Sequence, residues 1–138
     1  MVSLLIGAKG SGKTKKLIEE INARLASSNG NVIVVEKSQS LTNNVSYRAR
    51  LVESDEFGID GFKELYAFLS GLCAGDRDIT DILVDATLRI GSRDMNELKA
   101  FLERINKLSN DFETDFVFTI SMDETAVPAE ILGFCKKI

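Results

Sequence analysis

Apolar runs of strand type alternate along this chain with amphipathic stretches of helical type. Val2 to Ile6 is a short apolar run closed by Gly7. From Lys13 to about Ser27, Leu17, Ile18, Ile21 and Leu25 recur at helical spacing and leave Lys15, Lys16, Glu19 and Glu20 for the wet side. Ser28-Asn29-Gly30 then stops the helix. Asn31 to Glu36 (NVIVVE) predicts a buried strand. Leu41 to Val52 is less regular: Asn43-Asn44 suggests a turn, and the two-residue alternation from Val45 onward predicts an edge strand. Gly61 to Cys73 predicts a helix with Phe62, Leu65, Tyr66, Leu69 and Leu72 on one stripe. Ile79 to Ala86 (ITDILVDA) is another strand. The helix after it carries Met95, Leu98, Phe101, Leu102, Ile105 and Leu108, with Ser92 or Asp94 as its cap. Asp115 to Ser121 (DFVFTIS) is a further buried strand. Pro128 opens a last short helix that turns Ile131, Leu132 and Phe134 inward.

Such alternation predicts an α/β fold, a three-layer sandwich around a mainly parallel sheet of about five strands. The near-continuous apolar strands are what a sheet covered on both faces requires. A chain of 138 residues fits one domain, 1–138, and its 44% hydrophobic content with a single proline is enough for a core. Ligands in such folds bind beyond the carboxyl ends of the strands. The segments to inspect are therefore Gly7 to Thr14, Glu36 to Ser40, Asp85 to Arg93 and Ser121 to Glu124. The net charge of −4 gives no strong nucleic-acid signal and argues against adhesion to anionic membrane. With no histidine and only Cys73 and Cys135, a structural zinc site within one chain is excluded. No apolar run approaches the length of a membrane span, and Met1 leads into VSLLIG without a basic start, so the expected location is cytoplasmic.

Gly7-Ala8-Lys9-Gly10-Ser11-Gly12-Lys13-Thr14 fits G-x-x-x-x-G-K-[ST] without a mismatch, between a predicted strand and a predicted helix. Gly7 lets the chain turn off the strand, and Gly10 and Gly12 let backbone amides approach a phosphate. Those amides form an anion nest at the positive end of the following helix. Lys13 supplies an ammonium for the β/γ-phosphates and Thr14 a hydroxyl for Mg²⁺. The expected ligand is a nucleoside triphosphate with Mg²⁺. ATP is preferred to GTP because the nearest approach to a guanine motif, Asn106-Lys107-Leu108-Ser109, has Ser109 where an Asp is needed.

The loop resembles the Walker A motif of the P-loop NTPase superfamily. That resemblance implies a second element, an apolar strand ending in an Asp that holds Mg²⁺. Asp81-Ile82-Leu83-Val84-Asp85 fits and makes Asp85 the candidate; the plainer role for such a residue is a cap or loop hydrogen-bonder. Many relatives carry a catalytic Glu next, whereas Ala86 follows here. Glu36, at the end of the strand after the P-loop helix, stands where RecA-like recombinases and rotary ATP synthase catalytic subunits keep theirs; a solvated strand end is the equal alternative. The middle of the chain is similar in layout to thymidine kinases: a polar segment (Lys37-Ser38-Gln39-Ser40), an Arg-bearing strand (Tyr47 to Leu51) and a Gly-containing turn (Gly58 to Gly61). It lacks that family's acidic-plus-aromatic sequence after Walker B and its zinc lasso.

Arg89 and Arg93 follow the Asp85 strand closely, to sense a γ-phosphate or to reach a neighbouring subunit's nucleotide as an arginine finger; the plainer reading is that they are solvated or paired with Asp76, Asp78 or Asp94. The expected function is a RecA-like Mg-ATP-binding protein, a slow ATPase or nucleotide-gated switch read by a protein partner or a homo-oligomer. The alternative is a small-molecule or nucleoside kinase with its acceptor near Glu36 and Arg48.

Overall fold

The structure is a computed structural model that describes residues 1–38, 41 and 44–138. Its strands are β1 (Val2–Gly7), β2 (Asn31–Glu36), β3 (Arg50–Glu53), β4 (Ile79–Asp85), β5 (Asp115–Ser121) and β6 (Lys136–Lys137). Its helices are α1 (Lys13–Ser27), α2 (Gly61–Gly75), α3 (Thr87–Ile90), α4 (Met95–Phe112) and α5 (Ala129–Leu132). The strands form one sheet in the order β3-β2-β4-β5-β1-β6, with every pairing parallel. The sandwich is therefore as the pattern predicts, but with six strands where about five were expected. β6 is the addition. Its two lysines carry no apolar signature and are held by backbone pairing to Ser3 and Leu4. The edge strand begins at Arg50, later than the Val45 or Tyr47 start that the alternation predicts, because Ala49 closes a turn on the Ser46 carbonyl at 3.0 Å. The turn expected at Asn43-Asn44 lies partly outside the described residues, as do Gln39 and Ser40 of the polar segment.

Alternation along each strand divides the core into two. Leu5, Val34, Leu83 and Val117 face α1 and meet Leu17, Ile21 and Leu25. Leu4, Ile33, Val35, Ile82, Val84, Phe116 and Phe118 face the opposite side, against Leu65 and Leu69 of α2 and Leu98, Leu102 and Ile105 of α4. Leu17, Ile21 and Leu25 recur every fourth residue, one face of a helix. Each fully buried aliphatic side chain of this kind contributes about 1.5–3 kcal/mol. Asp94 is the cap of α4, accepting from the amides of Asn96 (2.9 Å) and Glu97 (3.2 Å).

The amino-terminal ends of the strands are closed by a charge network. Arg24 reaches from α1 to Glu20 (2.8 Å), Asp81 of β4 (3.0 Å) and Asp115 of β5 (3.2 Å). Asp81 is buried and also accepts from the Thr80 hydroxyl at 2.7 Å. Those ion pairs bind α1 to β4 and β5 at that end, while ligands of such folds sit at the carboxyl end. There the connection from β1 leaves over the α1 face, while α4 carries β4 to β5 over the other. Loops that part to opposite faces open a crevice between them. No helix among the described residues is long and apolar enough to cross a membrane.

Candidate functional site

β1 delivers Gly7 to the carboxyl edge of the sheet, level with Ser121 of β5. The chain then turns sharply, with the Ser11 amide donating to the Ala8 carbonyl at 3.1 Å. Gly10 and Gly12 have φ of 84° and 87°. A side chain is strained in that left-handed region, so these two glycines are backbone requirements of the turn. A Cβ on Gly7 would collide with the Ser11 hydroxyl, so the loop folds back tightly on its first residue. Gly12 precedes α1 without any side-chain cap, and the first turn of α1 holds no acidic residue. The first amides of a 15-residue helix are thus left for a ligand, at the end where the helix dipole is positive. Lys13 lays its ammonium back over the loop, donating to the Ala8 carbonyl at 3.1 Å, with its remaining protons free to meet phosphate oxygens.

Asp85 ends β4 and is level with Glu36 at the end of β2. Both lie two residues beyond α1-facing positions, Leu83 and Val34, so both point to the face that carries α1. Their environments differ. Asp85 is half-buried, and its Oδ1 accepts from the Thr119 hydroxyl at 2.5 Å. Glu36 is 1% exposed and its Oε2 accepts from the Leu41 amide at 3.0 Å. Asp85 lines the groove beside the Gly7–Thr14 loop, and Glu36 does not.

That groove has a volume of about 1140 Å³. Among the described residues Lys9, Lys13, Arg89 and Arg93 line it, with Asp85 as the single carboxylate. A protein of net charge −4 therefore concentrates four cations in one crevice. Arg93 spans the tip of β5 by donating to the Ser121 carbonyl at 3.0 Å. Arg89 is exposed on α3. Thr14 shares the groove with Asp85. A hydroxyl and a carboxylate are hard oxygen donors, and so sparse a protein set suits Mg²⁺, which keeps several waters and takes its other ligands from phosphates. Among the described residues no cluster of three or more His, Cys, Asp or Glu offers an all-protein metal cage.

The structure brings Gly7, Ala8, Lys9, Gly10, Ser11, Gly12, Lys13, Thr14 and Asp85 to one edge of the sheet, eight of them in the loop and one from β4. It leaves Glu36 out of the groove lining, bonded to the Leu41 amide. Arg48 lies in the turn before β3 and does not line the groove. Thr119 is the residue that pattern reading passes over. A threonine in an apolar strand reads as an ordinary strand former; only its parity with Val117 and Ser121, on the α1 face, marks it. No known family matches this chain, and no curated protein does.

Proposed function

We propose that this protein binds Mg-ATP in the groove between the Gly7–Thr14 loop and Asp85, as a P-loop NTPase of the RecA-like side that acts as a slow ATPase or nucleotide-gated switch. One observation carries the reading. A glycine turn with two left-handed residues presents the uncapped start of α1 and the Lys13 ammonium to a groove whose far wall holds Asp85. Backbone amides, a helix dipole and a mobile cation aimed at one space are the chemistry of polyphosphate recognition. Thr14 and Asp85 would hold Mg²⁺, which supplies charge neutralisation to the phosphates. The sheet order supports the same branch, since β5 separates the P-loop strand from the Asp85 strand.

Turnover is expected to be slow. Ala86 offers no base, and Glu36 is engaged at Leu41. To orient a water, Glu36 has to release that amide, which ties hydrolysis to a rearrangement of the segment after β2. The same coupling gives a switch its two states, with a partner protein or a second copy reading the segment. Because Arg48 does not line the groove, the geometry favours this reading over a kinase with its acceptor between Glu36 and Arg48. We place the protein in the cytoplasm, where ATP and reduced thiols such as its two buried cysteines occur together. The test is calorimetric titration of Mg-ATP into the wild type and Lys13→Ala. Binding lost in the variant supports the proposal, while equal affinity in both overturns it.

A further inference from the structure

The groove carries more positive charge than a triphosphate site uses. Lys9 and Lys13 belong to the phosphate loop. Arg89 and Arg93 come from a different segment, α3 and the turn before α4, yet line the same space. Both are exposed, and among the described residues neither forms an ion pair. Their obvious acidic neighbours in sequence are committed elsewhere. Asp94 caps α4, and Asp76 accepts from Asn31 at 2.8 Å and from the Asp78 amide at 2.9 Å. Among the described residues the one carboxylate in the groove, Asp85, is engaged by Thr119 and faces the proposed metal. Where many P-loop enzymes place an acid, Ala86 adds no charge.

Resting on the triphosphate reading, we infer that the Arg89–Arg93 wall binds a second ligand beside the nucleotide, a small molecule bearing a phosphomonoester. Mg²⁺, Lys13 and the loop amides meet the charge of the triphosphate. The two guanidiniums remain, and a phosphomonoester, with a charge of about −1.5 to −2 at neutral pH, matches them. Guanidinium forks suit tetrahedral oxyanions because each can donate two parallel N–H bonds. Arg93 is already pre-oriented by the Ser121 carbonyl, which lowers the entropy lost on binding. At about 1140 Å³ the groove exceeds the roughly 300–1,000 Å³ of ordinary small-molecule sites, so a second group fits beside the first.

The test titrates inorganic phosphate into protein saturated with Mg²⁺ and β,γ-imido-ATP, a non-hydrolysable analogue that fills the γ-phosphate position. Saturable phosphate binding is expected, weakened at least about tenfold in Arg89→Ala and further in Arg89→Ala/Arg93→Ala, the loss of charge-assisted hydrogen bonds. Affinity for the analogue should change by less than about threefold, as for exposed charges that do not touch it. Arg89→Ala alters an exposed side chain and leaves the Arg93–Ser121 contact in place, so its folding is checked directly by melting. Phosphate that fails to bind, or that competes with the analogue, overturns the second site alone. A tenfold loss of analogue affinity in Arg89→Ala assigns the wall to the γ-phosphate and also overturns it. If the analogue itself does not bind, the nucleotide reading falls and this inference with it.

Discussion

Replacing Thr119 with valine removes one hydroxyl from the centre of the sheet and tests whether Asp85 is positioned for a metal. The Thr119 hydroxyl donates to Asp85 Oδ1 at 2.5 Å and is itself 1% exposed. A hydrogen bond to a charged group contributes about 1.5–3 kcal/mol. Asp85 is half-buried, so water can replace part of the contact and the lower end of that range applies. Valine is nearly isosteric and buries a methyl where the hydroxyl was, a gain of about 0.8 kcal/mol that leaves a net loss of stability of about 1 kcal/mol. The larger effect falls on the metal. Groups that orient a metal ligand typically account for about 10–100-fold in metal affinity, and one bond at a half-exposed carboxylate points to the lower figure, about tenfold. The assay is the Mg²⁺ concentration needed for half-maximal binding of β,γ-imido-ATP. Thr119→Val should raise it about tenfold, Thr119→Ser should restore it, and nucleotide affinity without Mg²⁺ should not move. An unchanged Mg²⁺ requirement in a folded Thr119→Val protein would refute the positioning role and leave Thr119 as packing.

Other outcomes follow from contacts elsewhere. Glu36→Gln keeps an acceptor for the Leu41 amide, so nucleotide binding should survive while phosphate release stops; unchanged turnover removes Glu36 from catalysis. Arg24→Ala leaves the buried Asp81 without its cation and should lower the unfolding free energy by about 3 kcal/mol in urea titration, with a loss under about 1 kcal/mol contradicting the network's role. Burial pushes the Cys135 thiol up from 9.0 to about 12. The folded state thus favours the neutral thiol, so its contribution is intact below pH 9.0 and is lost as pH rises from there toward about 12. Cys135→Ala should accordingly flatten the fall of the urea midpoint above pH 9.0, and an identical slope in both proteins would contradict this.

The elements with clear periods were legible in the sequence. NVIVVE and DFVFTIS could only be buried strands, and Leu17, Ile21 and Leu25 could only face a sheet from a helix. The phosphate loop was legible because glycines at fixed offsets encode backbone angles directly, as the φ values at Gly10 and Gly12 show. What stayed hidden were properties of neighbours in space. Two-residue β6 has no pattern of its own and exists through pairing with β1. One-turn α3 is too short for a period to register. Glu36 and Asp85 look alike in sequence, each an acid ending an apolar strand. They part company because Glu36 is buried and bonded to the Leu41 amide, whereas Asp85 lines the groove. Thr119 gained its role only when β5 was inserted next to β4.

That insertion bears on how the protein comes into being. β5 is the last long strand to leave the ribosome, yet it takes the place between β1 and β4. Until residues 115–121 have emerged, the phosphate loop and Asp85 sit on strands with a gap between them, and Asp85 has no Thr119 to hold it. On the proposed reading, a nascent chain ending before β5 would not bind ATP even though its Gly7–Thr14 segment is made. Closing so distant a pairing is slow, since loop-closure entropy is lost before any contact repays it. On the proposed reading, nucleotide binding would follow completion of the sheet, and ATP at cellular concentration would favour finished molecules over partly made ones.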